Sequence, residues 1–160
     1  MDKHTICLLN DSFPPIIDGV ANAVVNYAEN IEKHHGHAVV VTPAVPGADD
    51  SGFPFPVVRY PSIDTRRLVG YVAGYPFSPE TALRVREEKV ELLHTHCPIA
   101  SAILARSLRE VVDAPLVFTY HTKFDVDVAK LLRGRLLQES ALYVLASNIS
   151  ACDEVRVVSH

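Results

Sequence analysis

The chain alternates between two hydrophobic patterns. Residues 5–10 (TICLLN) form a short unbroken apolar run, as in a strand buried on both faces, and Val20, Val24, Tyr27, Ala28 and Ile31 then recur at helical spacing up to His34. Gly36 follows the last periodic residue, where a left-handed cap is cheapest, and HAVVVTP (37–43) returns as a second strand closed by Pro43. The proline- and glycine-rich span 44–55 predicts a loop, and PVVRYPS (56–62) a third strand, with irregular structure over 61–78.

SPETALRVREEK (78–89) then carries a helix start, with Ser78 as N-cap, Pro79 as first helical residue and acid in the first turn. VELLHTH (90–96) is the fourth strand. Pro98 opens the next helix, whose apolar face is Ile99, Ile103, Leu104, Leu108, Val111 and Val112. LVFTY (116–120) is the fifth strand, HTKFDVD (121–127) a loop, 127–151 a long helix and EVRVVSH (154–160) a sixth strand.

Strands rich in Val, Leu and Ile that alternate with helices predict an α/β fold, a Rossmann-like doubly wound parallel sheet of about six strands with helices on both faces. In the order 3-2-1-4-5-6 the crevice lies at the carboxyl ends of strands 1 and 4, so the loops after strands 1, 4 and 5 should converge.

Composition narrows the function classes. At 160 residues the chain suits one domain, and its 48% apolar and 21% charged residues are those of an ordinary folded protein. The net charge of −4, with acids and bases interspersed, disfavours nucleic acid as a partner. Cys7, Cys97 and Cys152 are odd in number and far apart, which fits no disulfide framework and suits a reducing cytoplasm. No run approaches the ~20 apolar residues of a spanning helix, and the first residues lack a secretory pattern.

The candidate chemistry lies in the three loops. Asn10, Asp11, Asp18 and Gly19 follow strand 1, His94 and His96 end strand 4, and His121, Thr122 and Lys123 follow strand 5. The first loop, DSFPPIIDGVAN (11–22), lacks the G-x-G-x-x-G of dinucleotide binders, which disfavours a nicotinamide or flavin oxidoreductase. Two readings of Asp18-Gly19 stay open: a simple helix cap, or a helix start whose first N–H groups and dipole face an anion. His94 and His96 are two apart on a strand and point the same way, as metal ligands or as strand-end packing, with His96 the one expected to face the crevice. His121 should stand at the crevice floor. VAKLLRGRLL (128–137) is either a solvated helix face or an interfacial helix that touches a membrane surface.

FPPIIDGVANAVVNYAENIEKHHGHAVVVTP, LLHTHCPIASAILAR and PLVFTYHTKFD together resemble the amino-terminal domain of retaining GT-B glycosyltransferases of family 4, almost along the whole chain. The resemblance implies that Gly19 lies where the loop backbone approaches the donor's phosphates or sugar, that His121 lies beside the transferred sugar as the catalytic residue, and that His96 lines the acceptor side. Asp18, Thr122 and Lys123 complete the expected donor- and substrate-binding set. Asp18 replaces the first glycine of the commoner pair, a variant of lipid-glycosylating members.

The resemblance further implies that residues 1–160 are a single acceptor-side domain. A second, carboxy-terminal domain would hold the nucleotide-sugar and carry the family's Glu-x7-Glu motif; Glu80 and Glu88 have that spacing here by chance. Transfer from a nucleotide-diphosphate sugar to a lipid or sugar acceptor would then need no metal and no cofactor, and this chain alone would be inactive. The implied location is cytoplasmic, with peripheral contact at the inner face of a membrane as the lipid-linked variant. Two rival readings are a stand-alone module that binds a small anionic metabolite, and a metal-dependent hydrolase built from His94, His96 and His121.

Overall fold

The computed structural model describes residues 4–65, 67, 72–121 and 134–158. Six strands form one parallel sheet: β1 (His4–Leu9), β2 (Gly36–Pro43), β3 (Val57–Tyr60), β6 (Leu92–Thr95), β7 (Leu116–Tyr120) and β8 (Glu154–Val157). Their order is β3-β2-β1-β6-β7-β8, the doubly wound order that the strand and helix alternation predicts. The helices are α1 (Gly19–His34), α2 (Pro79–Glu87), α3 (Ala100–Val112) and α4 (Arg135–Ser150).

Strand periodicity splits the core into two layers. Cys7 and Leu9 of β1 join Val39, Val41, Leu93 and Leu116 on one face, where Val85 of α2 and Leu104 and Leu108 of α3 cover them. Leu8, between them in sequence, points to the opposite face with Ala38 and Val40, under Val24 and Ala28 of α1 and the loop residues Phe13 and Phe55. Each such Val, Leu or Phe side chain contributes about 1.5–3 kcal/mol on burial, so the central strands are pinned from both sides.

Several local expectations are corrected. Gly36 is no left-handed cap: it is the first residue of β2, and a Cβ there would lie 2.1 Å from the carbonyl oxygen of His4, its parallel partner on β1. The third helix starts at Ala100, not Pro98, and has no local side-chain cap. Over 61–78, Ser62–Ile63 (β4) pairs antiparallel with Ala73–Gly74 (β5), a small hairpin on the rim. The predicted helix over 127–151 is broken at Gly134, whose φ of 109° lies outside the helical region, and the last helix runs from Arg135; the remainder of VAKLLRGRLL before it lies outside the described residues. The sixth strand spans only 154–157 and is exposed throughout; Glu154 and Arg156 pair at 2.7 Å along it, the charged edge that discourages further strand pairing.

Candidate functional site

The winding reverses between β1 and β6, and the groups that extend beyond their carboxyl ends meet there. Asp11, just after β1, is the joint. Its Oδ1 accepts from the Ser101 backbone N–H at 2.7 Å and from the Tyr60 hydroxyl at 3.2 Å. Its Oδ2 accepts from the Cys97 thiol at 2.9 Å and the Ala100 N–H at 3.2 Å. A carboxylate from a distant loop thus supplies the cap that α3 lacks locally and offsets the positive end of that helix. Burial and this negative neighbour push the Tyr60 hydroxyl and the Cys97 thiol well above their usual ranges, so both stay protonated and act as donors.

The rest of the first loop is held from β3. Arg59 forks onto Asp50 at 2.7 Å and donates to the carbonyls of Pro14 at 2.6 Å and Pro43 at 3.1 Å, while Phe13 is buried with its ring 5.0 Å from Phe53. The two prolines therefore sit in an anchored loop. At its end, Asp18 Oδ1 accepts from Val20 N–H at 2.9 Å and Ala21 N–H at 2.7 Å, the ordinary N-cap arrangement. Of the two readings of Asp18-Gly19, the structure contains the cap. Gly19 has no atom within 4 Å of where a Cβ would stand, so the fold itself does not require a glycine there.

Three histidines line the ends of β6 and β7. His94 and His96 point the same way, with ring centres 4.2 Å apart, and His96 and His121 lie 5.1 Å apart. His94 Nε2 bonds Thr119 Oγ1 of β7 at 2.7 Å, and His96 Nδ1 bonds His121 Nε2 at 2.9 Å. Tyr27 of α1 lies against the pair, 5.4 Å from the His96 ring. Burial, then Arg156 and His121, lower His94 to about 4, and burial with His94 and His121 lowers His96 to about 2. Partial burial also lowers His121. These rings are neutral near pH 7, and the arrangement offers hydrogen-bond donors and acceptors, not charge.

The structure brings His96 and His121 into direct contact, but His96 is fully buried and does not itself face the crevice as expected; the partly exposed ring is His121. Asp18 and Gly19 stand at the start of α1. Thr122 and Lys123 lie outside the described residues. Among the described residues no group of three His, Cys, Asp or Glu side chains is arranged to hold a metal, and none of the helices is long and apolar enough to cross a membrane. Sequence reasoning placed Asp11 in the right loop without its capping role, since its partners are about ninety residues away. It also placed Tyr27 on the core stripe of α1, whereas Tyr27 is 44% exposed beside the histidines.

The comparisons with known proteins agree with this arrangement. The family model described as Glycosyltransferase Family 4 matches residues 17–160. An alpha-monoglucosyldiacylglycerol synthase of Acholeplasma laidlawii is 28% identical over 126 residues, 74% of this chain and 30% of the relative. A protein of the same name from Streptococcus pneumoniae is 21% identical, covering 88% of this chain and 32% of the relative. A GDP-mannose-dependent alpha-mannosyltransferase of Corynebacterium glutamicum is 25% identical, covering 73% of this chain and 29% of the relative. The chain spans about three tenths of the length of these curated relatives. With a family match over nearly its whole length, the chain belongs to Glycosyltransferase Family 4.

Proposed function

We propose that this chain is the acceptor-side domain of a retaining glycosyltransferase that moves a sugar from a nucleotide-diphosphate sugar to a lipid or sugar acceptor. The observation that carries the reading is His121: a neutral, partly exposed ring at the carboxyl end of β7, backed by buried His96 and placed at the winding reversal. In this reading His121 is the catalytic residue. It directs a fixed dipole at the transferred sugar, an effect worth about 2.7–4 kcal/mol for a well-placed donor. Gly19, with open space where a side chain would be, is where the loop backbone approaches the donor, and Asp18 fixes that helix start. Thr122 and Lys123 complete the binding set, and the nucleotide is held chiefly by a second domain. No metal or cofactor enters the scheme.

The names of two relatives, both glucosyldiacylglycerol synthases, favour a lipid acceptor. Peripheral contact with the inner face of the cytoplasmic membrane fits that acceptor, and exposed Leu136, Leu137 and Tyr143 on α4 supply apolar surface for it. The test is a screen of the full-length protein with labelled nucleotide-sugars against diacylglycerol and sugar acceptors. His121→Ala should lower turnover by about 100-fold or more while the thermal midpoint changes little. Unchanged turnover removes His121 from the site, and transfer by residues 1–160 alone would refute the two-domain reading.

A further inference from the structure

The pairing of His96 with His121 determines which face of its chemistry His121 presents. A neutral imidazole carries one proton, so across the 2.9 Å contact one ring donates and the other accepts. If His96 Nδ1–H donates, its Nε2 is a bare ring nitrogen; if His121 Nε2–H donates, His96 Nε2 carries a proton. That Nε2 atom is buried and meets no hydrogen-bond partner among the described residues. A buried N–H without an acceptor is rarer and costlier than an acceptor without a donor. The first arrangement therefore has the lower free energy.

Charging does not offer an escape. His96 is fully buried, with the neutral His94 ring 4.2 Å away and the Tyr27 ring 5.4 Å away, and no carboxylate among the described residues bonds it. His94 itself bonds Thr119, whose hydroxyl donates or accepts equally well, so that pair adapts to either His94 tautomer. The constraint falls on His121 alone.

We propose that His96 is a positioning residue that holds His121 in its Nδ1–H tautomer, so that His121 meets a ligand oxygen as a hydrogen-bond donor and not as a general base. Because Nε2 of His121 is occupied as an acceptor by His96, the only proton on the ring is at Nδ1, on the edge His96 leaves unengaged. The oxygen it would meet belongs to a hydroxyl, glycosidic or phosphate group. The role in transfer rests on the function proposed above; the tautomer does not.

The experiment is a multiple-bond proton–nitrogen correlation spectrum of the chain, labelled with 15N at histidine, at neutral pH. His121 should show a protonated Nδ1 and a bare Nε2, with a scalar coupling through the hydrogen bond to a protonated His96 Nδ1. A His121 protonated at Nε2 overturns the proposal. His96→Asn, whose amide can still donate near the Nδ1 position, should preserve the His121 tautomer, and His96→Leu should release it toward Nε2–H. Retention of the Nδ1–H form in a folded His96→Leu protein overturns the positioning role, and should that variant not fold, loss of the tautomer in His96→Asn overturns it as well. Full-length turnover of His121→Ala is read separately: unchanged turnover with the expected spectrum refutes the transferase role and leaves the pairing standing.

Discussion

Mild acid should destabilise this domain through two histidines before its carboxylates take part. In the unfolded chain His94 and His96 titrate near ~6.5, whereas in the fold they are lowered to about 4 and about 2. A depressed histidine stabilises the fold fully above its unfolded value, and that stability is lost as pH falls toward the folded value. At about pH 5 each unfolded ring gains roughly 2 kcal/mol from protonation while the folded rings gain almost nothing. The two together remove about 4 kcal/mol, a large share of the ~5–15 kcal/mol of a typical domain.

The groups that face these rings do not reverse the sign. Tyr27 of α1 lies against them, Thr119 and His121 come from β7, and β8 contributes Arg156, which lowers His94 further, and Glu154, which raises it by a smaller effect. Glu91, bonded by His4, Asp153, bonded by the Leu116 N–H, and Glu154, bonded by Arg156, are held below the usual carboxylate range, so their contributions are lost only below about pH 4.5. Urea unfolding followed by circular dichroism at about pH 7.5 and about pH 5 reads the difference by linear extrapolation. A fall under about 1 kcal/mol, or an undiminished fall in a folded variant lacking both histidines, would refute the reasoning.

Asp11→Ala removes the acceptor for two α3 amides, the Tyr60 hydroxyl and the Cys97 thiol, and should cost about 3 kcal/mol in urea unfolding, with Asp11→Asn losing less. Gly36→Ala forces a methyl onto the His4 carbonyl and should cost about 1–3 kcal/mol. Gly19→Ala, with open space around it, should leave stability unchanged or higher by up to about 1 kcal/mol while transfer by the full-length protein falls. Unchanged transfer in that variant would separate Gly19 from the ligand.

The order of the sheet was legible because the central strands are apolar runs and α1 and α3 each carry an apolar stripe, and the doubly wound arrangement follows from their alternation. Boundaries failed where a distant group decided them. Nothing near Pro98 announces that α3 begins at Ala100, since its cap comes from Asp11. Gly36 read as a turn glycine, although what excludes a side chain there is a backbone oxygen on the neighbouring strand. In the site, HTH on one strand and YH at the end of the next suggested proximity, and the period of two placed His94 and His96 on one side. Which of them faces the crevice depends on sheet register: Thr95 of β6 pairs with Phe118 of β7, which sets His96 beneath His121.

The first loop differs from a phosphate loop for a reason its prolines only hint at. A glycine-rich loop offers free backbone N–H groups to an anion. Here the Val20 and Ala21 amides of α1 are taken by Asp18 and the Ala100 and Ser101 amides of α3 by Asp11, so internal carboxylates occupy donors at both helix starts. The crevice histidines stay neutral, and Arg59, which reaches the loop from β3, is held by Asp50 and the Pro14 and Pro43 carbonyls. If the ligand is a nucleotide-diphosphate sugar, the positive charge that balances its diphosphate comes from cations other than Arg59, and the crevice groups described above are left to shape, orient and donate. A transferase that divides its labour in this way should lose donor affinity mainly through variants outside β1–β7, and lose turnover, at unchanged donor affinity, through His121.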